Sequence, residues 1–165
     1  MEITRVAPFL EYLDRVHERT RRVIMQISPA DLEWTPAPGK FSFGDLVRHL
    51  ATIERYMYAE TVHGRRSAYP GHGLDLAAGF DATIAFYDRL HDESRALFAE
   101  LTDARLIEKC HTPADTPITV GKWLRAMIEH EAHHRGQIYL MLGMRGVSTP
   151  PIYGLTSEEV RARSV

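Results

Sequence analysis

The sequence predicts an all-α four-helix bundle, and three observations carry that prediction. Four long stretches repeat their apolar residues at helical spacing, Pro- and Gly-rich segments separate them, and strand-like alternation is nearly absent. Four amphipathic helices bury their apolar stripes most economically against one another. The chain has 165 residues, which fits one domain spanning 1–165 and allows a core without disulfides or cofactors.

The first stretch runs from about Thr4 to Ile27, with Val6, Leu10, Leu13, His17, Thr20, Ile24 and Ile27 at helical spacing, and Ser28-Pro29 stops it. A rigid connector, Glu33-Trp-Thr-Pro-Ala-Pro-Gly-Lys, follows and is expected to pin Trp34 against the bundle. Ser42 caps the second helix, with Asp45 in a capping-box position. Phe43, Leu46, Leu50, Ile53 and Met57 mark its apolar side, and it should fray near His63-Gly64. The third stretch, roughly Leu76 to Leu101, carries Phe80, Ile84, Tyr87, Leu90, Phe98 and Leu101. A Pro-containing link from Lys109 to Pro117 leads to the fourth helix, near Thr119 to Leu142, ended by Gly143 and Gly146 before Thr149-Pro-Pro. Thr156-Ser-Glu-Glu has a capping-box pattern and predicts a short terminal turn or two. The connector and the loop around Tyr69-Pro-Gly-His-Gly are long enough to shape a pocket.

Composition narrows the function. Apolar residues make up 44% and charged residues 25%, with a formal net charge of −2, ordinary for a soluble globular protein. Scattered arginines and no basic excess argue against a nucleic-acid partner. No apolar run approaches the roughly 18 residues of a membrane span. The start, Met1-Glu-Ile-Thr-Arg-Val, carries charges where a signal peptide needs an apolar core. The single cysteine, Cys110, has no partner for an internal disulfide and fits a reducing compartment, so a cytoplasmic location is expected.

Nine histidines direct attention to where they fall. In His130-Glu-Ala-His133-His134-Arg-Gly-Gln137, His130 and His134 lie one turn apart on one helix face, where two imidazoles can grip one ion. At about 100° per residue, Trp123, Met127, His130, His134 and Met141 fall within an arc of roughly 60°. His133 lies nearer the edge of that stripe and is the reserve candidate. On the second helix, Leu46, His49, Ile53 and Met57 follow helical spacing, so His49 is inward too. Three imidazoles from two facing helices can therefore converge on one divalent metal. They suit Zn, Ni, Cu or Fe better than Mg or Ca, and they leave a position open for water or substrate. The competing expectation for any one of them is a hydrogen-bonded core histidine. His130-Glu131-x-x-His134 also matches a zincin helix, with Glu131 as general base; the absence of a strand-rich substrate domain argues against a protease.

Those residues give the chain a family resemblance. Trp34-Thr-Pro-Ala-Pro-Gly-Lys-Phe-Ser-Phe-Gly-Asp-Leu-Val-Arg-His49-Leu, the His130–Gln137 segment and Pro150-Pro-Ile-Tyr-Gly-Leu-Thr together resemble the DinB/YfiT-like family over almost the whole chain. The resemblance implies a down-up-up-down bundle, often a homodimer, with a divalent metal (commonly Zn or Ni) on His49, His130 and His134. It also implies that a low-molecular-weight thiol is a possible co-substrate, since some relatives are thiol-dependent S-transferases or isomerases. It does not imply DNA binding. The expected function is a metal-dependent enzyme acting on small electrophiles. The alternatives are a metal-dependent hydrolase and a non-catalytic metal-binding stress-response protein.

Of the remaining residues, Gln137 lies one turn beyond His134 and is expected to orient a ligand or hold a metal-bound water, with a packing amide equally in view. Glu131 and Arg135 are expected to be structural. His17 falls on the inner stripe of its helix, where it could approach the site, and burial with a hydrogen-bonded partner is the favoured expectation. His91 is ambiguous, and His63, His72 and His111 are expected in solvent. Cys110 has no evident base nearby and is expected to be a small buried residue.

Overall fold

The computed structural model describes residues 3–165; Met1 and Glu2, at the start of the amino-terminal stretch, lie outside the described residues. Its first long helix, α1 (Val6–Ile24), has no side-chain cap of its own. Asp103, far along the chain, accepts from the Val6 backbone N–H at 2.8 Å and supplies the cap. The predicted end at Ile27 overshoots, because residues after Ile24 form a tight turn into a 3₁₀ turn, Pro29–Asp31. Arg145 bonds Asp31 at 2.8 Å and lays its guanidinium over the Trp34 ring, so the connector is pinned as expected.

Helix α2 (Phe43–Ile53) opens with the capping box: Asp45 N–H donates to Ser42 Oγ, and Ser42 N–H donates to Asp45 Oδ2, both at 3.0 Å. It runs without a break through a π-helical turn, Glu54–Tyr58, into α3 (Ala59–Val62). Helix α4 (Phe80–Ala99) begins later than the predicted Leu76. Gly79, at φ 84°, turns the chain into the helix, and the buried Ala77 stays in the preceding loop with its carbonyl bonded to Arg48. The predicted link after α4 is more ordered than expected. A short helix, α5 (Asp103–Ile107), precedes it, and the link itself is built into a hairpin of β1 (Lys109–His111) and β2 (Pro117–Thr119), with Cys110 opposite Ile118. Helix α6 (Val120–Met144) runs through Gly143 and stops at Gly146, whose φ of 73° suits a left-handed helix end. The exposed α7 (Ser157–Arg163) carries the capping box predicted at Thr156.

Helices α1 and α2 sit diagonally, each packed between α4 and α6. Contacts fix the directions. Arg21 meets Asp88 while Asp14 meets Arg95, so α1 and α4 are antiparallel. Arg48 meets Ala77 just before α4 begins while Arg55, further along, meets Glu93 late in α4, so α2 and α4 are parallel. Thr61 meets Trp123 while His49 meets His130, which makes α2 and α6 antiparallel. This is the down-up-up-down order, and the long 64–79 loop carries the chain back between the two parallel helices.

The core divides into two apolar clusters. One gathers Val23, Ile24, Phe43, Leu46, Leu90 and Ile138; the other gathers Phe9, Leu13, Ile53, Phe98, Leu124 and Met127. Between them lies a polar layer. On α6 the buried seam reads Val120, Leu124, Met127, Glu131, Arg135, Ile138, Leu142, so two charged residues hold core positions and His130 and His134 flank that seam toward α2. Among the described residues, no helix is long and apolar enough to cross a membrane.

Candidate metal centre

The three histidines singled out by helical phase do meet. Their ligating nitrogens lie within 4.8 Å of one another. His130 Nε2 is 3.2 Å from His49 Nε2 and 3.0 Å from His134 Nε2. Nitrogens that share a tetrahedral ion at the usual metal–nitrogen distance stand roughly 3.3 Å apart, so these spacings fit a metal.

The outer nitrogens are held by neighbours. His134 Nδ1 lies 2.7 Å from Gln137 Oε1, an oxygen that only accepts, so the proton sits on Nδ1 and Nε2 presents a lone pair. His49 Nδ1 lies 2.8 Å from the Tyr69 hydroxyl, which in turn is 3.1 Å from His72 Nδ1. Burial first, then His134, His130 and His72, push the His49 imidazole down to about 3. Burial and the neighbouring His134 and His133 push His130 down to about 4. Burial also lowers His134, with His133 adding to it and Gln137 opposing. All three rings are neutral at physiological pH, the form that binds metals.

The sequence does not reveal how the Tyr69 loop is delivered. Arg48, beside His49, is fully buried. Its Nε donates to His72 O at 2.8 Å, Nη1 to Glu33 and Ala77 O, and Nη2 to Glu33 and Asp45. Every N–H direction of the guanidinium has an acceptor, which is what permits its burial. Thr52, one turn further on, donates to Gly71 O at 2.9 Å. The residues flanking His49 thus fasten the loop that carries Tyr69 and His72. Gly44 leaves room for the clamp: a Cβ there would stand 2.6 Å from Glu33 Oε1 and 2.8 Å from Arg48 Nη1.

Other expectations divide. His72, expected in solvent, packs its ring 4.3 Å from Phe41 and joins the Tyr69 contact. His63, expected in solvent, is partly buried and donates from Nε2 to Leu97 O at 2.9 Å. His111 is exposed as expected, and so is His133, the reserve candidate. Cys110 is buried, and burial pushes its thiol up. His17 lies inside the bundle away from the trio, stacked on His91 and Tyr87, with Nε2 3.4 Å from Asp88. Glu131 answers the zincin question: it points into the polar layer, accepts from the Tyr87 hydroxyl at 3.3 Å, and burial next to Glu54 pushes its carboxyl up to about 7. The zincin base is therefore turned away from the three histidines. The sequence marks the Tyr69 loop as pocket-forming but not Tyr69 or Phe41 as neighbours of the histidines, since a lone aromatic residue in a Pro/Gly loop has no periodicity.

An apolar cavity of about 610 Å³ opens at His134 and Gln137, walled by Phe41, Leu46 and Met141. The fold and this site define an all-α four-helix bundle with a histidine trio between two facing helices. A family model of the DinB superfamily matches residues 12–138, and the chain belongs to that superfamily. Among solved structures it is similar to a DinB-like protein from Bacillus cereus, at 20% identity over 87% of this chain and 94% of that one, with a TM-score of 0.72. It is also similar to the DinB-like protein YjoA from Bacillus subtilis, at 19% identity over 90% and 99% of the two chains, TM-score 0.73. YfiT from Bacillus subtilis, described as a probable metal-dependent hydrolase with an unusual four-helix bundle topology, matches at 19% identity over 87% and 89%, TM-score 0.68. At such identities the likeness carries the fold alone. Comparison with curated proteins finds no match.

Proposed function

We propose that His49, His130 and His134 hold one divalent transition metal, Zn or Ni, and that the chain is a metal-dependent enzyme acting on small molecules. The observation that carries this reading is the convergence of three neutral Nε2 atoms without a carboxylate among them. A proton on His130 Nε2 points at one neighbour and leaves the other close pair unbridged, whereas a cation satisfies all three lone pairs. Held by His49, His130 and His134, a divalent ion would supply Lewis acidity, the chemistry that makes a water or thiol nucleophile available near neutral pH.

The chain's own residues do the rest. Tyr69 and Gln137 hold the His49 and His134 rings in the ligating orientation. Phe41 and the apolar cavity shield the site and receive the apolar part of a substrate. Thiol transfer to an electrophile and hydrolysis both fit this arrangement; the likeness to YfiT, described as a probable hydrolase, keeps hydrolysis in view.

Elemental analysis of the protein reconstituted with Zn or Ni tests the reading. One metal per chain is expected, lost in His49→Ala and His134→Ala while the helical circular dichroism persists. A wild-type protein that takes up no metal sinks the proposal. Turnover of an electrophile panel with added thiols, against an ester and amide panel without them, then separates the two chemistries. Metal bound with no turnover in either panel leaves the non-catalytic reading, for which chelation must sharply lower the melting temperature.

A further inference from the structure

A second cavity, about 850 Å³, is lined in part by Tyr69, the residue whose hydroxyl touches His49. Its floor includes Ile53, one turn beyond His49 on the same helix, and Met57. Helical rise puts Met57 about 12 Å along from His49, the length of a small molecule. Its rim is basic. Arg65 and Arg105 line it but are already engaged: Arg65 pairs with Glu60, and Arg105 bonds Val62 O, Lys109 O and Glu108. Those Arg105 bonds tie the hairpin to the end of α3 and so build the cavity wall. Arg66 and Lys109 also line it, and among the described residues their side chains make no ion pair. Asp115 is the one carboxylate among the lining residues.

We infer that this groove takes the anionic end of the substrate, a carboxylate or phosphate held by Arg66 and Lys109, with an apolar stem lying over Ile53 and Met57 toward Tyr69 and the three histidines. The direction of the stem rests on the metal-enzyme reading; the anion contact does not. Two unpaired cations at the rim of a cavity with an apolar floor attract an anion and desolvate its stem, which bare surface cations do not. Opposite charge on Asp115 weakens the attraction without cancelling it.

Calorimetric titration of the full chain, metal-free and zinc-loaded, with phenylbutyrate, phenylbutyl phosphate and the uncharged phenylbutyramide tests the inference. Both anions are expected to bind about tenfold more tightly than the amide, and the tighter anion identifies the head group. The double variant Arg66→Ala/Lys109→Ala should erase that preference, and Asp115→Asn should strengthen it about twofold. Zinc content of the double variant should equal that of wild type, since neither side chain touches the histidines. Equal binding of anion and amide, no binding of any probe, or undiminished anion preference in the double variant overturns the inference. If wild type fails to hold zinc while the anion preference persists and depends on Arg66 and Lys109, the metal reading falls and the anion groove stands.

Discussion

Two histidine clusters sit at the same level of this bundle and solve the problem of a buried imidazole in opposite ways. Between α1 and α4, His17 and His91 stack face to face with ring centroids 3.6 Å apart, and His91 Nδ1 lies 3.1 Å from Glu54. Burial opposes the charge on His91, but Glu54, Glu131 and Asp14 outweigh it and raise its pKa. Between α2 and α6, three rings turn nitrogen toward nitrogen, with Tyr69 and Gln137 behind them and no carboxylate among them. Carboxylates in the first cluster complement a proton. The second lacks that complement and presents lone pairs to a common point, which suits a metal ion. A histidine count cannot separate the two; the partners can.

Breaking one cluster at a time sharpens the contrast. The largest effect is expected for His49→Ala or His134→Ala, with metal affinity falling more than about 100-fold by competition with a chelating dye. His17→Phe and His91→Ala should leave metal content unchanged. His91→Ala should instead destabilise the fold by about 2–3 kcal/mol in urea, because Glu54 remains buried without its partner. A metal content that falls equally in both sets of variants would erase the distinction.

Acid separates the clusters next. His17, His49 and His130 have folded pKa values of about 3, 3 and 4, below the unfolded imidazole value near 6.5. Their contribution to stability is whole above about pH 6.5 and is lost as pH falls toward those folded values. His91 and Glu131 have the opposite sign: their raised pKa values, about 7 for Glu131, add stability as pH falls and lose it as pH rises through them. They offset part of the loss from the three histidines. The metal-free protein should therefore show a lower urea midpoint at pH 5 than at pH 7.5, and His91→Ala should steepen that fall. A midpoint that rises on acidification would contradict the assignment. The smallest effect is expected for Tyr69→Phe: metal affinity weakened about tenfold by loss of the bond to His49, with a melting temperature close to wild type.

The helices were legible because their signals are local. The Ser42-Asp45 capping box, the 3-4 spacing of Leu46, His49 and Ile53, and Thr149-Pro-Pro each act within a few residues. His130 and His134 could be phased for the same reason, since one turn of helix fixes their relative direction. The misplacements share the opposite cause. Helix α1 takes its cap from Asp103, and α4 starts late because Ala77 is held by Arg48. The hairpin was missed because three-residue strands are too short for alternation to register.

The sequence by itself determined four helices, their apolar faces and the helix face on which each of the three histidines lies, since periodicity and capping are properties of neighbouring residues. Only the tertiary structure decided that His49 meets a pair some eighty positions away, that Arg48 fastens the Tyr69 loop behind it, and that Glu131 faces the other way. Those outcomes depend on helix order and on buried polar groups finding partners across the bundle, and no local pattern encodes either.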